Sequence, residues 1–174
     1  MGLFDYRTYI IDQKLLSIQH TLIIKDEKQT ELGKAVKKIL SVTEEIDFND
    51  NTKPMQTVGS CKRKLLAAFP AYEVENELHQ TVANIKKQVI AIGDDWWVED
   101  TSGKKVLKVD GNLIGLEYTI RDMMNQKVAE VSKKFFSIRD SYGVKITGND
   151  ADPFIILAVV AAIDLEKYKK EKKI

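Results

Sequence analysis

At 174 residues, 44% hydrophobic and 30% charged, the chain has the size and composition of one globular domain with room for a core. Lysine and arginine (27) almost cancel aspartate and glutamate (26), and the formal net charge of +1 argues against a dedicated nucleic-acid binder. The single cysteine, Cys61, excludes an internal disulfide framework and fits a reducing compartment. The opening MGLFDYRTYIID lacks a basic segment leading into a long apolar one, and the region after Gly2 lacks the Ser/Thr of a myristoylation signal. Neither a secretory signal nor a lipid anchor is therefore expected, and the expected location is the cytoplasm.

In chain order, runs with period-2 alternation or β-rich composition predict strands at residues 9–13, 21–25, 33–38, 45–48, 56–62, 71–75, 80–86, 96–99, 105–109, 117–121, 127–132 and 142–147. Between them two kinds of connector alternate. One kind is apolar: KLLSI, KILSV, KLLAAF, KQVIAI, NLIGL and KFFSI, whose small residues Ser17, Ser41, Ala67, Ala91, Gly115 and Ser137 recur every 22 to 26 residues. The other kind is a polar turn: DEKQTE, NDNTKP, ENEL, EDTSG and RDMMNQ. A repeat at nearly constant period indicates a repeated supersecondary unit. Six antiparallel pairs in succession predict a meander that closes, because closure removes exposed edges.

The last element is different. Asp152 is a good N-cap, Pro153 fits the first helical position, and every residue from Phe154 to Ile163 is apolar. A helix apolar all round is buried in a core or in a membrane. Eleven residues rise only ~17 Å, against a hydrocarbon core of ~30 Å, so a membrane span is the weaker reading. Ala158, Ala161, Ala162 and Leu165 share one face and would allow close approach to a wall. The pattern turns amphipathic after Ile163, which predicts that the helix leaves its apolar surroundings near Asp164. Twelve strands ~4.8 Å apart and tilted ~40° enclose a backbone radius of roughly 12 Å. After wall side chains, that leaves space for one helix ~10–12 Å across. The expected fold is mainly β: one domain over residues 1–174, a closed antiparallel barrel of about twelve strands (residues about 3–148) around a buried hydrophobic helix (about 153–170).

A twelve-strand barrel around a C-terminal helix is the tubby C-terminal-like fold. The segments YIIDQKLLSIQHTLIIKD, KKQVIAIGDDWWVEDTSGKKVLKVDGNL and KVAEVSKKFFSIRDSYGVKI resemble the LURP-one-related family, which is similar to the phospholipid scramblases. The resemblance covers nearly the whole chain and is strongest from about Val82 to Asp164. It implies a fold rather than a reaction. Relatives with this fold are associated with phosphoinositide binding, membrane tethering or lipid scrambling, but no residue here is carried over from a phosphoinositide pocket. The acidic calcium segment of scramblase-like chains would stand just before the helix, where this chain has Asn149, Asp150 and Asp152.

No pattern points to catalysis, a cofactor or a metal, and the expectation is a non-enzymatic protein. His20 and His79 lack an HxxxH, HExxH or cysteine partner and read as ordinary histidines. Cys61 precedes Lys62, Arg63 and Lys64, but an inert, buried thiol is the stronger reading. Asp94, Asp95, Glu99 and Asp100 lack calcium-loop spacing and read as a solvated turn. Trp96 and Trp97 must point to opposite faces of a strand, one inward against the helix and one outward, covered by a neighbour or free to mark a contact surface.

The functional signal is positional. Alternate connectors of an up-and-down barrel lie at the same end, so the six apolar connectors share one rim. Their basic residues share it too: Lys14, Lys37 and Lys38, then Lys62, Arg63, Lys64, Lys86, Lys87, Lys133 and Lys134, which with Lys169 and Lys170 of the helix tail make up the candidate anionic-lipid set. The helix must enter from the opposite end, so its tail, with Lys167, Lys169, Lys170, Lys172 and Lys173, emerges at this rim. Each basic residue near an anionic membrane contributes about 1 kcal/mol. Carboxylates at the same rim (Glu44, Glu45, Asp94, Asp95, Glu117) dilute the field. The expected partner is an anionic phospholipid surface, engaged peripherally without a transmembrane segment, or a protein. A protein-interaction module without a lipid role and a scramblase-like lipid handler are the alternatives. A residual apolar cavity beside the helix would favour the last of these.

Overall fold

The computed structural model describes residues 1–14, 19–54, 56–90 and 93–173. Twelve strands follow one another: β1 (Thr8–Gln13), β2 (Thr21–Lys25), β3 (Glu31–Lys37), β4 (Glu45–Asp50), β5 (Thr57–Arg63), β6 (Ala71–Asn76), β7 (Thr81–Ile90), β8 (Gly93–Glu99), β9 (Lys105–Asn112), β10 (Glu117–Asp122), β11 (Lys127–Ser132) and β12 (Ser141–Ile146). Each pairs antiparallel with its neighbours in the chain, and β1 closes the barrel on β12 from Thr8 opposite Lys145 to Asp12 opposite Ser141. One departure from the sequence expectation concerns KQVIAI. Its first four residues are strand, with Val89 opposite Asp94 and Ile90 opposite Gly93, so only 91–92 separate β7 from β8. Those two residues, and 15–18 of the first apolar connector, lie outside the described residues.

The polar turns follow one chemical rule. Asp26, Asn76, Asp100 and Asp122 each use a side-chain oxygen to accept the backbone N–H groups two and four residues on, at 2.8–3.0 Å. Asp50 accepts the N–H of Thr52 in the same way. The residue three after each of the first four (Gln29, His79, Gly103, Asn125) takes a positive φ of 58° to 85°. Side-chain capping of this kind is what Asx turns supply. The register slips one residue beside each of these turns, at Ile24/Lys25, Val74/Glu75, Val98/Glu99 and Ile120/Arg121. The five capping residues recur at the same period as the apolar connectors, and that second repeat was legible in the sequence.

The helix α1 (Pro153–Lys172) runs through the lumen. Asp152 caps it, its carboxylate accepting the Phe154 N–H at 2.9 Å. Every residue from Ile156 to Glu166 is buried. It enters at the polar-turn end, where Phe154 meets Phe48 and Phe4 at ring separations of 5.6 and 4.8 Å. A short 3-10 turn, Leu3–Asp5, closes that end, with the Leu3 N–H donating to Asp50 at 2.7 Å. Arg7 donates to the carbonyls of Gly148, Asn149 and Ala151 and so fixes the link from β12 to α1. The acidic segment before the helix therefore serves as link and cap. No described helix is long and apolar enough to cross a membrane.

The fit at the entry is tight. A Cβ on Gly59 would stand 2.5 Å from the Phe154 ring. Gly59→Ala should therefore cost about 2 kcal/mol, in the range of core overpacking, and lower the thermal midpoint by several degrees in a calorimetric scan. An unchanged midpoint would mean that the Phe154 ring is free to withdraw.

Candidate functional site

Strand periodicity builds the exit end of the barrel. Inward-facing positions along the wall are apolar until the last one before the apolar connectors, and there they turn polar. Ile11 is followed by Gln13, Ala35 by Lys37, Cys61 by Arg63 and Ile85 by Lys87. Where strands enter from the rim, His20 precedes Leu22, Glu44 precedes Ile46 and Asp94 precedes Trp96. The result is a collar of inward-directed polar groups around α1.

That collar corrects the expectation that the helix leaves its burial near Asp164. Asp164 is 1% exposed and Glu166 8%. The Asp164 carboxylate accepts from Gln13 Nε2 at 2.7 Å and from the Tyr142 hydroxyl at 2.9 Å, and His20 Nε2 lies 3.1 Å from its other oxygen. The Tyr72 hydroxyl donates to Glu166, which also faces Lys87, Lys169 and Arg63 within 3.9 Å. Charges enter the core here because the wall supplies partners for them. Burial and the Asp164 charge push the Tyr142 hydroxyl well above its usual range. Asp164→Ala strands the amide of Gln13 and the hydroxyl of Tyr142 together, and should cost about 3 kcal/mol in a denaturant titration.

Glu44 is the second node. It accepts from Lys169 at 2.7 Å and Arg63 at 2.8 Å, with Lys37 at 3.4 Å. Burial alone would raise its carboxyl, but these hydrogen bonds and the charges of Lys169 and Lys37 outweigh burial and hold it at about 2, against 4.5 for a free glutamate. A carboxyl depressed on folding stabilises the fold above its unfolded value and loses that contribution as pH falls towards its folded value. Glu44→Gln should therefore flatten the loss of stability between pH 4.5 and 2 in acid-unfolding curves.

The candidate lipid-binding set divides into groups. Lys62 and Lys86 lie on the outer wall and pair with Glu75 and Glu99, each at 2.8 Å. Arg63, Lys169 and Lys170 point over the mouth, where Lys170 meets Asp94 at 2.9 Å. Lys87 is 3% exposed and held by Asp94 and Glu166, so it serves the collar rather than the surface. Lys64, Lys133 and Lys134 are exposed in the connectors and make no ion pair among the described residues.

The remaining singled-out residues have structural settings. Trp96 is buried inside the wall, while Trp97 on the outside is half-buried, donating to Glu99 at 2.8 Å with the Lys105 ammonium 4.2 Å above its ring. Cys61 is fully buried, and burial pushes its thiol up, away from reactivity. His79 sits in a polar turn. Asp94 belongs to the collar and Asp100 caps a turn. No group of three or more metal-ligating side chains is placed to hold a metal ion among the described residues.

Sequence reasoning on lysines passed over the apolar tips. Among the described residues, most of the exposed large hydrophobics stand at this one rim. Ile39, Leu40 and Val42 lie between β3 and β4, Leu65, Leu66 and Phe69 between β5 and β6, with Ile90 and Ile114 beyond. Leu40, Val42 and Leu66 are between 93% and 101% exposed. Their signal was present in the connector motif itself. Beside them a recess of about 420 Å3 is lined by His20, Lys37, Lys38, Lys169, Lys172 and Lys173 with Tyr168, where Glu44 holds Lys37 and Lys169, and Glu45 and Asp47 hold Lys38.

The comparisons agree with this architecture. The solved X-ray structure of an Arabidopsis thaliana protein matches at a TM-score of 0.62 over 91% of both chains, with 12% identity, a likeness of fold. The chain is 26% identical over 165 residues to the uncharacterized protein YxjI of Bacillus subtilis (strain 168), covering 91% of this chain and 93% of that one. The LURP-one-related family model matches residues 7–164. With that match spanning the barrel from its first strand to the buried stretch of its helix, the chain belongs to the LURP-one-related family.

Proposed function

We propose that this protein is a non-enzymatic, cytoplasmic binding module that docks peripherally on anionic phospholipid surfaces through the rim of apolar connectors. The observation that carries the reading is the gathering of exposed apolar tips on that rim, with Leu40, Val42 and Leu66 almost completely bare and Phe69 half exposed, interleaved with lysines. Contiguous exposed apolar groups on a folded domain mark contact surfaces. Burying one such side chain contributes about 1.5–3 kcal/mol, against about 1 kcal/mol for a lysine near anionic lipid. The apolar tips are therefore the larger part of the affinity, and Lys64, Lys133 and Lys134 choose the charge of the surface. In the nearby recess Lys172 and Lys173 make no ion pair among the described residues and are open to a headgroup phosphate, whereas Lys37, Lys38 and Lys169 are already held by carboxylates.

Co-sedimentation with vesicles tests this. Recovery should be several-fold higher on vesicles containing phosphatidylserine than on pure phosphatidylcholine, and should fall with salt. Equal recovery on both at every salt concentration overturns the reading and turns the apolar rim towards a protein partner.

A further inference from the structure

The geometry points to a second site, beside the helix, that takes a single acyl chain with an oxygen-bearing end. A recess of about 260 Å3 opens where α1 leaves the barrel. Its walls are Trp96 on β8, Leu113 and Ile114 between β9 and β10, and the face of α1 that carries Ile163, Lys167 and Lys170.

Its chemistry selects the ligand. The surface it offers is mostly apolar, although the charged side chains of Asp94, Glu166, Lys167, Lys170 and Glu171 also line it. An engineered apolar cavity of about 150 Å3 already holds benzene, so this one accommodates a larger molecule. On α1 the lining runs from Ile163 to Glu171, about 12 Å of helix, so the recess is long and suits a chain. One corner is polar. The Trp96 N–H is buried with no partner among the described residues, and the Lys170 ammonium sits 2.9 Å from Asp94, two residues away on the same strand. A carboxylate or ester oxygen fits that corner, with its chain along Ile163, Leu113 and Ile114. Such an oxygen would satisfy an indole N–H that the fold leaves unpaired. Ile114, 72% exposed, places the opening on the apolar rim, in reach of a chain from a lipid or from a free fatty acid.

The two tryptophans provide the readout. In a Trp97→Phe protein, Trp96 is the sole tryptophan, and 11-bromoundecanoate below its micellar concentration should quench it saturably at one chain per protein. Ile163→Phe, which fills the recess, should weaken that quenching at least tenfold. Leu113→Phe, at a half-buried position outside the barrel core, is the second filling variant and should do the same. Brominated-chain phosphatidylcholine in vesicles that also contain phosphatidylserine identifies the source. Quenching there that the filling variants abolish assigns a lipid-borne chain, and quenching by the free acid alone assigns a fatty acid. Linear, unsaturable quenching, or equal quenching in folded filled variants, overturns the site. Leu40→Asp with Leu66→Asp should leave quenching by the free acid unchanged, so the failure of rim docking and the failure of this site are read separately.

Discussion

Ala161→Asp is expected to leave no folded protein. Ala161 is 1% exposed at the middle of α1, between the equally buried Ala158 and Leu165. The lumen admits the helix because small residues occupy that face. An aspartate there adds volume to a filled space and places a carboxylate where nothing can pair with it. An unpaired buried charge costs several kcal/mol even after the group neutralises itself, and overpacking adds about 1–3 kcal/mol. Together these approach the whole stability of a domain, about 5–15 kcal/mol. The contrast with Asp164, three residues on, is instructive. That carboxylate is just as buried, yet it is tolerated because Gln13, Tyr142 and His20 reach it from the wall. Expression of Ala161→Asp should give insoluble protein or a chain without a cooperative thermal transition. A soluble, cooperatively folding variant would mean that the helix lies outside the barrel.

Replacing the apolar tips should have the largest effect on membrane docking. Leu40 and Leu66 are almost completely exposed, so Leu40→Asp with Leu66→Asp removes no packing and should leave the thermal midpoint within a degree or two. On vesicles the same change loses two insertions worth about 1.5–3 kcal/mol each and adds two charges repelled by anionic lipid. Recovery on phosphatidylserine vesicles should fall at least a hundredfold in partition coefficient. Lys133→Ala with Lys134→Ala removes about 2 kcal/mol of electrostatic attraction and should cost roughly thirtyfold, with a weaker salt dependence. If the lysine pair mattered and the leucine pair did not, the rim would be a purely electrostatic surface.

The barrel was readable in the sequence because each of its signals is local. Period-2 runs, capping residues and turn chemistry all act within a few positions, and twelve repetitions reinforce one another. The collar was not readable. Gln13 meets Asp164 across 151 positions and Tyr72 meets Glu166 across 94, distances over which no pattern in the chain points from one partner to the other. An aspartate after an apolar run therefore reads as a helix reaching water, when here it is a buried charge with dedicated partners. The rim lysines failed to read as ion-paired for a related reason. Lys62 lies opposite Glu45 and diagonally from Glu75, and those pairings follow only from the strand register. The apolar tips are the reverse case. KILSV and KLLAAF were plain in the sequence, but hydrophobic residues between strands are ordinarily taken to be covered, and only the structure leaves Leu40, Val42 and Leu66 bare.

The most direct measurement places an environment-sensitive fluorophore at each end of the barrel. Cys61 is fully buried, so a thiol-reactive dye will label only an introduced cysteine in the folded protein. Leu66→Cys carries it on the apolar rim and Leu78→Cys, in a polar turn, on the opposite end. With phosphatidylserine vesicles the dye at position 66 should shift to the blue as it enters the interface, while the dye at position 78 should not move. No shift at position 66, or an equal shift at both ends, would contradict docking through the rim from which the helix emerges.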